Sequence, residues 1–362
     1  MRPSIIPETF VVLLCLILGT GCYYITEGSQ LFSVYSRGVE IEKVLEDGQV
    51  PADEEQLLRN VQKIRIFAVK TLGLRDNDNY TKYIRMEQDY LATIVSACSM
   101  DRFEQYYWDY IFMGKLPYKG FFEMDDAVQE VARIKALGYD VYVRNVDAFS
   151  TLGFFSDPVF SFMKGYSLST LANLLFHEQV HATFYFKADV DFSENIASFI
   201  GDEGALIYLE AEFGKDNPVF TILENENHDH AVFKDLITQL HQELKALYDL
   251  ELPKEECLAE KNTSIHAWKE RFSSQYDKLF RTQMYKRMPE ININNAFIMT
   301  FLNYTGNLDE IRKLYHSTGS DLIAFIKMIG SIPVDETRPL ERLRELAGKL
   351  SRENSLQSEQ KD

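Results

Sequence analysis

The sequence predicts a mainly α-helical protein with one small β element. Three observations support this. Apolar residues recur near a 3.6-residue period over several long segments. Strand-like runs are confined to residues 83–101 and 139–146. No internal repeat and no long polar linker forces a division into domains.

The elements follow in chain order. Residues 9–18, TFVVLLCLIL, form an apolar run too short to span a bilayer and of the length of a signal-peptide core. GTGC then brings small residues up to Cys22, in the manner of a bacterial lipobox. Position −3 is Gly19 where Leu is usual, and the run is preceded by a single basic residue, Arg2. The expected organisation is a signal peptide over 1–21, lipidation at Cys22, one mainly helical domain over 22–350, and a disordered polar tail over 351–362. The segment after Cys22 has dense aromatics at roughly helical spacing and should dock on the core. Residues 54–74 read as a helix with Leu57, Leu58, Val61, Ile64, Phe67, Ala68 and Leu72 on its apolar face. Residues 83–101, rich in Ile, Tyr and Val, read as a strand or hairpin, and GKLPYKGFF at 114–122 as a loop. Residues 123–138 read as an amphipathic helix closed by Gly138, and 139–146 as a strand. A helix is expected from Ser167 to Lys187 and another over 192–213. The stretch 217–285 looks almost wholly helical, 288–306 interrupts, and helices follow near 307–317, 319–329 and 337–351.

Composition narrows the function classes. The chain has 362 residues, 46% hydrophobic and 26% charged, as an ordinary globular protein does. A formal net charge of −17 argues against a nucleic-acid partner. The cysteines are Cys15, Cys22, Cys98 and Cys257, with no Cys/His metal framework; whether Cys98 and Cys257 pair is open.

HEQVH at 177–181 carries the chemistry. Positions i and i+4 share a helix face, so His177 and His181 can both direct a ring nitrogen at one ion. Glu178, beside the first ligand, can take a proton from water at that ion. A random chain of this composition shows the pattern about once in a hundred, so context must decide. The flanks in NLLFHEQVHATFYF are apolar on most sides, which buries the helix, and buried histidines need partners. A catalytic zinc takes three protein ligands and keeps a fourth position open. Glu194, in DFSENIASFIGDEGA, shares a face with Ala197, Ser198, Gly201 and Ala205, small residues that permit close helix approach. Asp189, Asp191, Asp202 and Glu203 are rival third ligands, and Asp191 to Glu194 also fits a capping box.

HExxH followed by an ExxAxxxG helix resembles the gluzincin metallopeptidases. Together with CYYITEGSQLFSV, GKLPYKGFF, ALGYDVYVRNVDAFSTLGFFSDPVFSFM and INNAF, the pattern is similar to the putative aminopeptidase family of bacterial zinc lipoproteins, over about residues 22–335. The resemblance implies a gluzincin-like core, Zn2+ as cofactor, His177, His181 and Glu194 as ligands, and Glu178 as base. It also implies aminopeptidase-like hydrolysis of a peptide substrate and a cell-envelope location through the lipid on Cys22. Two departures are Phe149, where relatives carry Tyr, and Ser193, where they carry Asn.

Further assignments are weaker. Tyr304, Tyr208 and Tyr185 are candidates to stabilise a developing oxyanion, with Tyr304 preferred. Thr151, Leu152 and Gly153 can form an edge against which a peptide lies. Asn295 and Asn294 can bind substrate or cap a helix. Asp202 or Glu203 can hold a ligand histidine's second nitrogen, and His228 and His230 resemble a second metal patch. The rival reading is a non-enzymatic surface lipoprotein, an adhesin or assembly factor braced by zinc. Glu178 speaks against it, because a structural site has no use for a base.

Overall fold

The computed structural model describes residues 27–110, 114–146, 156–303 and 308–359. Among the described residues the protein is mainly helical with three small sheets. The assignments at Cys22, Thr151, Leu152, Gly153 and Tyr304 lie outside the described residues, as does the departure at Phe149. Among the described residues no helix is long and apolar enough to cross a membrane.

A first helix, α1 (residues 27–35), precedes β1 (Val39–Glu40), α2 (Ile41–Asp47) and α3 (Ala52–Lys70). The apolar face expected of α3 is the one it buries: Leu57, Leu58, Val61, Ile64 and Ala68 enter the largest core cluster. β2 (Lys82–Ile84) pairs antiparallel with β1 and parallel with β8 (Val159–Phe160). β3 (Ala92–Ser99) belongs to a different sheet, so residues 83–101 do not form a hairpin. β3 is central between β6 (Tyr118–Phe121) and β7 (Tyr139–Val146), antiparallel to both, with Val95 opposite Lys119 and Val143. Every residue of β3 is buried, because α4 (Met124–Ala136) packs on the sheet from one side and α9 (Asn295–Asn303) also packs against β3 and β7.

The loop expected at 114–122 is instead two short strands. β4 (Trp108–Tyr110) pairs with β5 (Gly114–Leu116), and Pro117 separates β5 from β6. Gly138 takes φ 82°, the left-handed conformation that closes α4 as anticipated.

α5 (Leu168–Thr183) and α6 (Val190–Phe213) lie in the main core beside α3, with α10 (Leu308–Ser317) and α11 (Leu322–Gly330) packed on α6. A second core forms between α7 (Val219–Tyr248), α8 (Lys254–Leu279) and α9 around Phe233, Trp268, Phe272 and Phe297. α9 falls within the segment expected to interrupt the helices. Asn294 starts it by accepting from the Phe297 N–H at 3.0 Å. The last helix, α12 (Pro339–Glu359), extends the expected helix eight residues further, so 351–359 is helical where a disordered tail was expected.

The sheet and the second helical core meet at a buried ion pair. Lys261 of α8 bonds Asp140 of β7 and donates to the Met100 carbonyl at 2.8 Å. Asp140 also accepts the Asn295 N–H at 2.9 Å. Both side chains are nearly dry, at 4% and 11% exposed. Removing one member leaves an uncompensated buried charge. Asp140→Ala is therefore expected to cost about 3–5 kcal/mol in urea unfolding; a loss below about 1 kcal/mol would refute the role given to this pair.

Candidate metal centre

Local sequence sets the two helices of the site. Ser167 caps α5 by accepting from the Thr170 N–H at 3.1 Å. α5 stops at Thr183, short of the expected Lys187, because Phe184 turns extended and Phe184 and Phe186 both enter the core. Thr183 closes the end: its hydroxyl donates to the Gln179 carbonyl at 2.7 Å and accepts the Arg75 N–H at 3.0 Å. The return turn is fastened by Ser193, whose hydroxyl accepts from the Phe186 N–H at 2.9 Å. Phe186 and Phe192 pack edge to face across it, with ring centroids 5.1 Å apart.

The N-cap of α6 is Asp189, which accepts from the Phe192 N–H at 2.9 Å. The capping box that Asp191 to Glu194 also fitted does not form. Glu194 therefore sits inside α6 with no capping duty and faces α5.

The small-residue face of α6 makes that approach possible. A Cβ on Gly201 would stand 3.1 Å from the Asn173 carbonyl oxygen, and one on Gly204 would stand 3.0 Å from the Phe176 ring. The result is a convergence of three donors. His177 Nε2 lies 3.1 Å from His181 Nε2. Glu194 Oε2 is 3.6 Å from His177 Nε2, and its Oε1 is 3.5 Å from His181 Nε2. All ligand atoms of the three lie within 4.8 Å of one another, and among the described residues this is the one such group of histidine, cysteine or acidic side chains.

These spacings fit a tetrahedral zinc. Bonds of about 2.0–2.1 Å at tetrahedral angles place donor atoms about 3.3–3.4 Å apart. Two ring nitrogens and a carboxylate also suit zinc chemically. The histidines are about four-fifths buried and Glu194 is half exposed, so the cluster opens to solvent on the glutamate side. Burial alone would raise the Glu194 pKa, but hydrogen bonds and charge from His177 and His181 outweigh it and hold it down at about 2. Burial works against charging His181, and the bond to Glu194 overcomes that, so its pKa is raised. His181 Nδ1 is buried with no partner among the described residues.

Glu178 makes no hydrogen bond or ion pair among the described residues. Its charge acts on a group of side chains that the sequence did not single out: Asp157, Tyr80 and Tyr35. Burial, then Glu178, pushes the Asp157 carboxyl up to about 7. These residues come from a turn after α3, the entry to β8 and α1, elements brought to α5 by tertiary packing alone.

The other assignments divide. Tyr185 stands beside His181, ring centroids 6.0 Å apart. Tyr208 is in the core against Phe67 and Phe176. Asn295, expected to touch substrate, is fully buried and spent on the fold: its amide donates to the Ser99 carbonyl at 2.9 Å and its oxygen accepts from the Tyr248 hydroxyl at 2.8 Å. Asp202 accepts from Asn173 at 2.8 Å and pairs with Arg312, bonding neither ligand histidine. His228 and His230 bond the Leu279 carbonyl and the Tyr285 hydroxyl, which fastens the turn after α8 to α7; they form no second metal patch. Cys98 and Cys257 are buried free thiols.

A family model described as putative aminopeptidase matches residues 22–343. The chain belongs to this family. No curated protein and no solved structure matches the chain.

Gly204 tests the packing that builds the centre. Phe176 and Leu72, the neighbours its Cβ would meet, are themselves fully buried and cannot yield. Gly204→Ala should lower stability by about 1–3 kcal/mol despite the better helix propensity of alanine. A thermal melt showing equal or greater stability would show that α5 and α6 can separate at no cost.

Proposed function

We propose that this chain is a zinc-dependent peptidase of aminopeptidase type, held at the cell envelope by lipid on Cys22. The observation that carries the reading is the convergence of His177, His181 and Glu194, with Glu178 next to His177 on the same helix. Membership of the putative aminopeptidase family supports the same reading.

His177, His181 and Glu194 would hold the ion, leaving a side open toward solvent for water and substrate. Bound zinc supplies Lewis acidity, polarising a carbonyl and acidifying water. Glu178 takes the proton of the attacking water and returns it to the leaving amine. Among the described tyrosines we assign to Tyr185, whose ring stands 6.0 Å from that of His181, the steadying of charge on the substrate carbonyl oxygen. The walls of α5 and α6 keep the histidine rings in one orientation through packing against a core that does not yield.

Two variants separate binding from chemistry. Glu178→Gln should retain one equivalent of zinc by elemental analysis and lose about 10²–10⁴-fold in peptide hydrolysis. His181→Ala should lose the metal. Wild-type turnover in the first variant, or stoichiometric zinc in the second, would overturn the mechanism. The lipid anchor rests on the lipobox-like sequence ending at Cys22. Cys22→Ser should move the protein from the membrane to the soluble fraction, read by fractionation and by mass spectrometry of the N-terminus; unchanged fractionation would rule the lipid anchor out.

A further inference from the structure

Gln179 is a polar side chain on the side of the HEQVH helix away from the histidines. At about 100° per residue it lies about 180° around α5 from the mean direction of His177 and His181. It is 3% exposed and sits in the middle of the buried face, which it shares with Leu171, Ala172, Leu175 and Phe176. From there it cannot reach an ion held by the histidines. Its amide instead donates to the Arg75 carbonyl at 2.5 Å and to Asn77 Oδ1 at 3.2 Å. One turn on, Thr183 Oγ1 accepts from the Arg75 N–H at 3.0 Å. Residues 75–80 thus grip α5 from behind.

Those residues form a strap that other elements hold in place. The Leu74 N–H donates to the Ala68 carbonyl of α3 at 3.0 Å, and Arg65 of α3 donates to the Asn77 carbonyl at 2.7 Å. Asn77 Oδ1 also accepts from the Asn79 N–H at 3.0 Å. At the far end Asn79 Oδ1 accepts from the Asp157 N–H at 3.1 Å, and the Asp157 carbonyl accepts from the Tyr80 N–H at 2.5 Å. Tyr80 holds φ 58° there, a strained conformation for a bulky side chain that persists only where its surroundings over-determine it. The strap therefore belongs to α3 and to the entry to β8, and α5 is fastened to it.

We propose that Gln179 is a positioning residue that sets the rotation of α5 about its axis, and through it the aim of His177 and His181 at one ion. This rests on the metal-centre reading. Apolar packing confines the helix but is non-directional, whereas a hydrogen bond has a preferred angle. The lever is long: a rotation of about 10° moves a side-chain tip about 6 Å from the helix axis by about 1 Å. A preorganised site tolerates about 0.5 Å. Glu194 stands on a different helix, so an error in the rotation of α5 is not shared by it and goes wholly into the donor spacings of 3.5 and 3.6 Å. A single buried polar residue fixes the register of a coiled coil in the same way, at a cost in stability.

The test titrates the metal-free full chain in detergent with Zn2+ against a competing chelator, and with Co2+, whose visible d–d bands report the geometry of its ligands. Gln179→Met keeps the volume and removes the donors. It should weaken zinc binding about 10- to 100-fold and lower the intensity of the cobalt bands. The thermal midpoint of the metal-free protein should move by less than about 5 °C. Asn77→Asp keeps the accepting oxygen and should bind zinc within about threefold of wild type, whereas Asn77→Leu removes it and should weaken binding about tenfold. Unchanged zinc affinity and an unchanged cobalt spectrum in Gln179→Met overturn the inference. So does Asn77→Asp behaving as Asn77→Leu does, since the accepting oxygen would then be immaterial. If Gln179→Met does not fold, the two Asn77 variants decide the matter. Wild type that takes up neither metal overturns the metal-centre reading and this inference with it; tight binding by wild type and Gln179→Met alike overturns the inference alone.

Discussion

Gly201 and Gly204 let α6 lie directly against α5, and the candidate metal centre depends on that approach. A carboxylate on one helix reaches two imidazoles on another only when the backbones are close. Every ångström of added separation would draw Glu194 away from the histidines, and the donor spacings have little to spare. The glycines weaken α6 locally, but the core around Phe176, Leu72 and Phe199 more than offsets this by packing both helices tightly. The same packing ends α5 at Thr183 and returns the chain within a short turn, which starts α6 early enough for Glu194 to face back.

The rest of the molecule supports this pair from two sides. The main core surrounds α5 and α6 with α3, α10 and α11. The sheet of β6, β3 and β7 meets the main core through Ala92 and Val146 and the second helical core through Asp140, Lys261 and Asn295. A buried network of this kind stands only when every member is satisfied. That requirement explains why Asn295 cannot be spared for a ligand. It also explains why a polar residue beside a helix start was a misleading functional signal.

The site was legible where its chemistry is periodic. His177 and His181 follow from helical spacing, and Glu194 from the small residues on its face. The same reading misplaced the N-cap, because Asp189 and Asp191 are equivalent in composition and differ only in where the turn after Phe186 lets the helix begin. β3 could not be placed in its sheet from its own residues. A strand buried on both faces shows no clear alternation, and its partners are distant in the chain. Asp157, Tyr80 and Gln179 carried no sequence signal of the hydrogen bonds that gather them at α5. One precedes a proline, one follows a polar turn, and one is an unspecified position within the motif.

By itself the sequence determined the helical class, the pair of histidines able to meet at one ion, and a short set of acids, Glu194 among them, that could join them. These are properties of period and residue type, and they survive without knowledge of distant contacts. Only the tertiary structure decided which of several acids stands with the histidines, and which polar residues are spent on the fold. It alone brought Tyr80 and Asp157 together and tied their segments to α5 through Gln179. Those outcomes depend on where separate segments meet, and that is set by how the whole core closes.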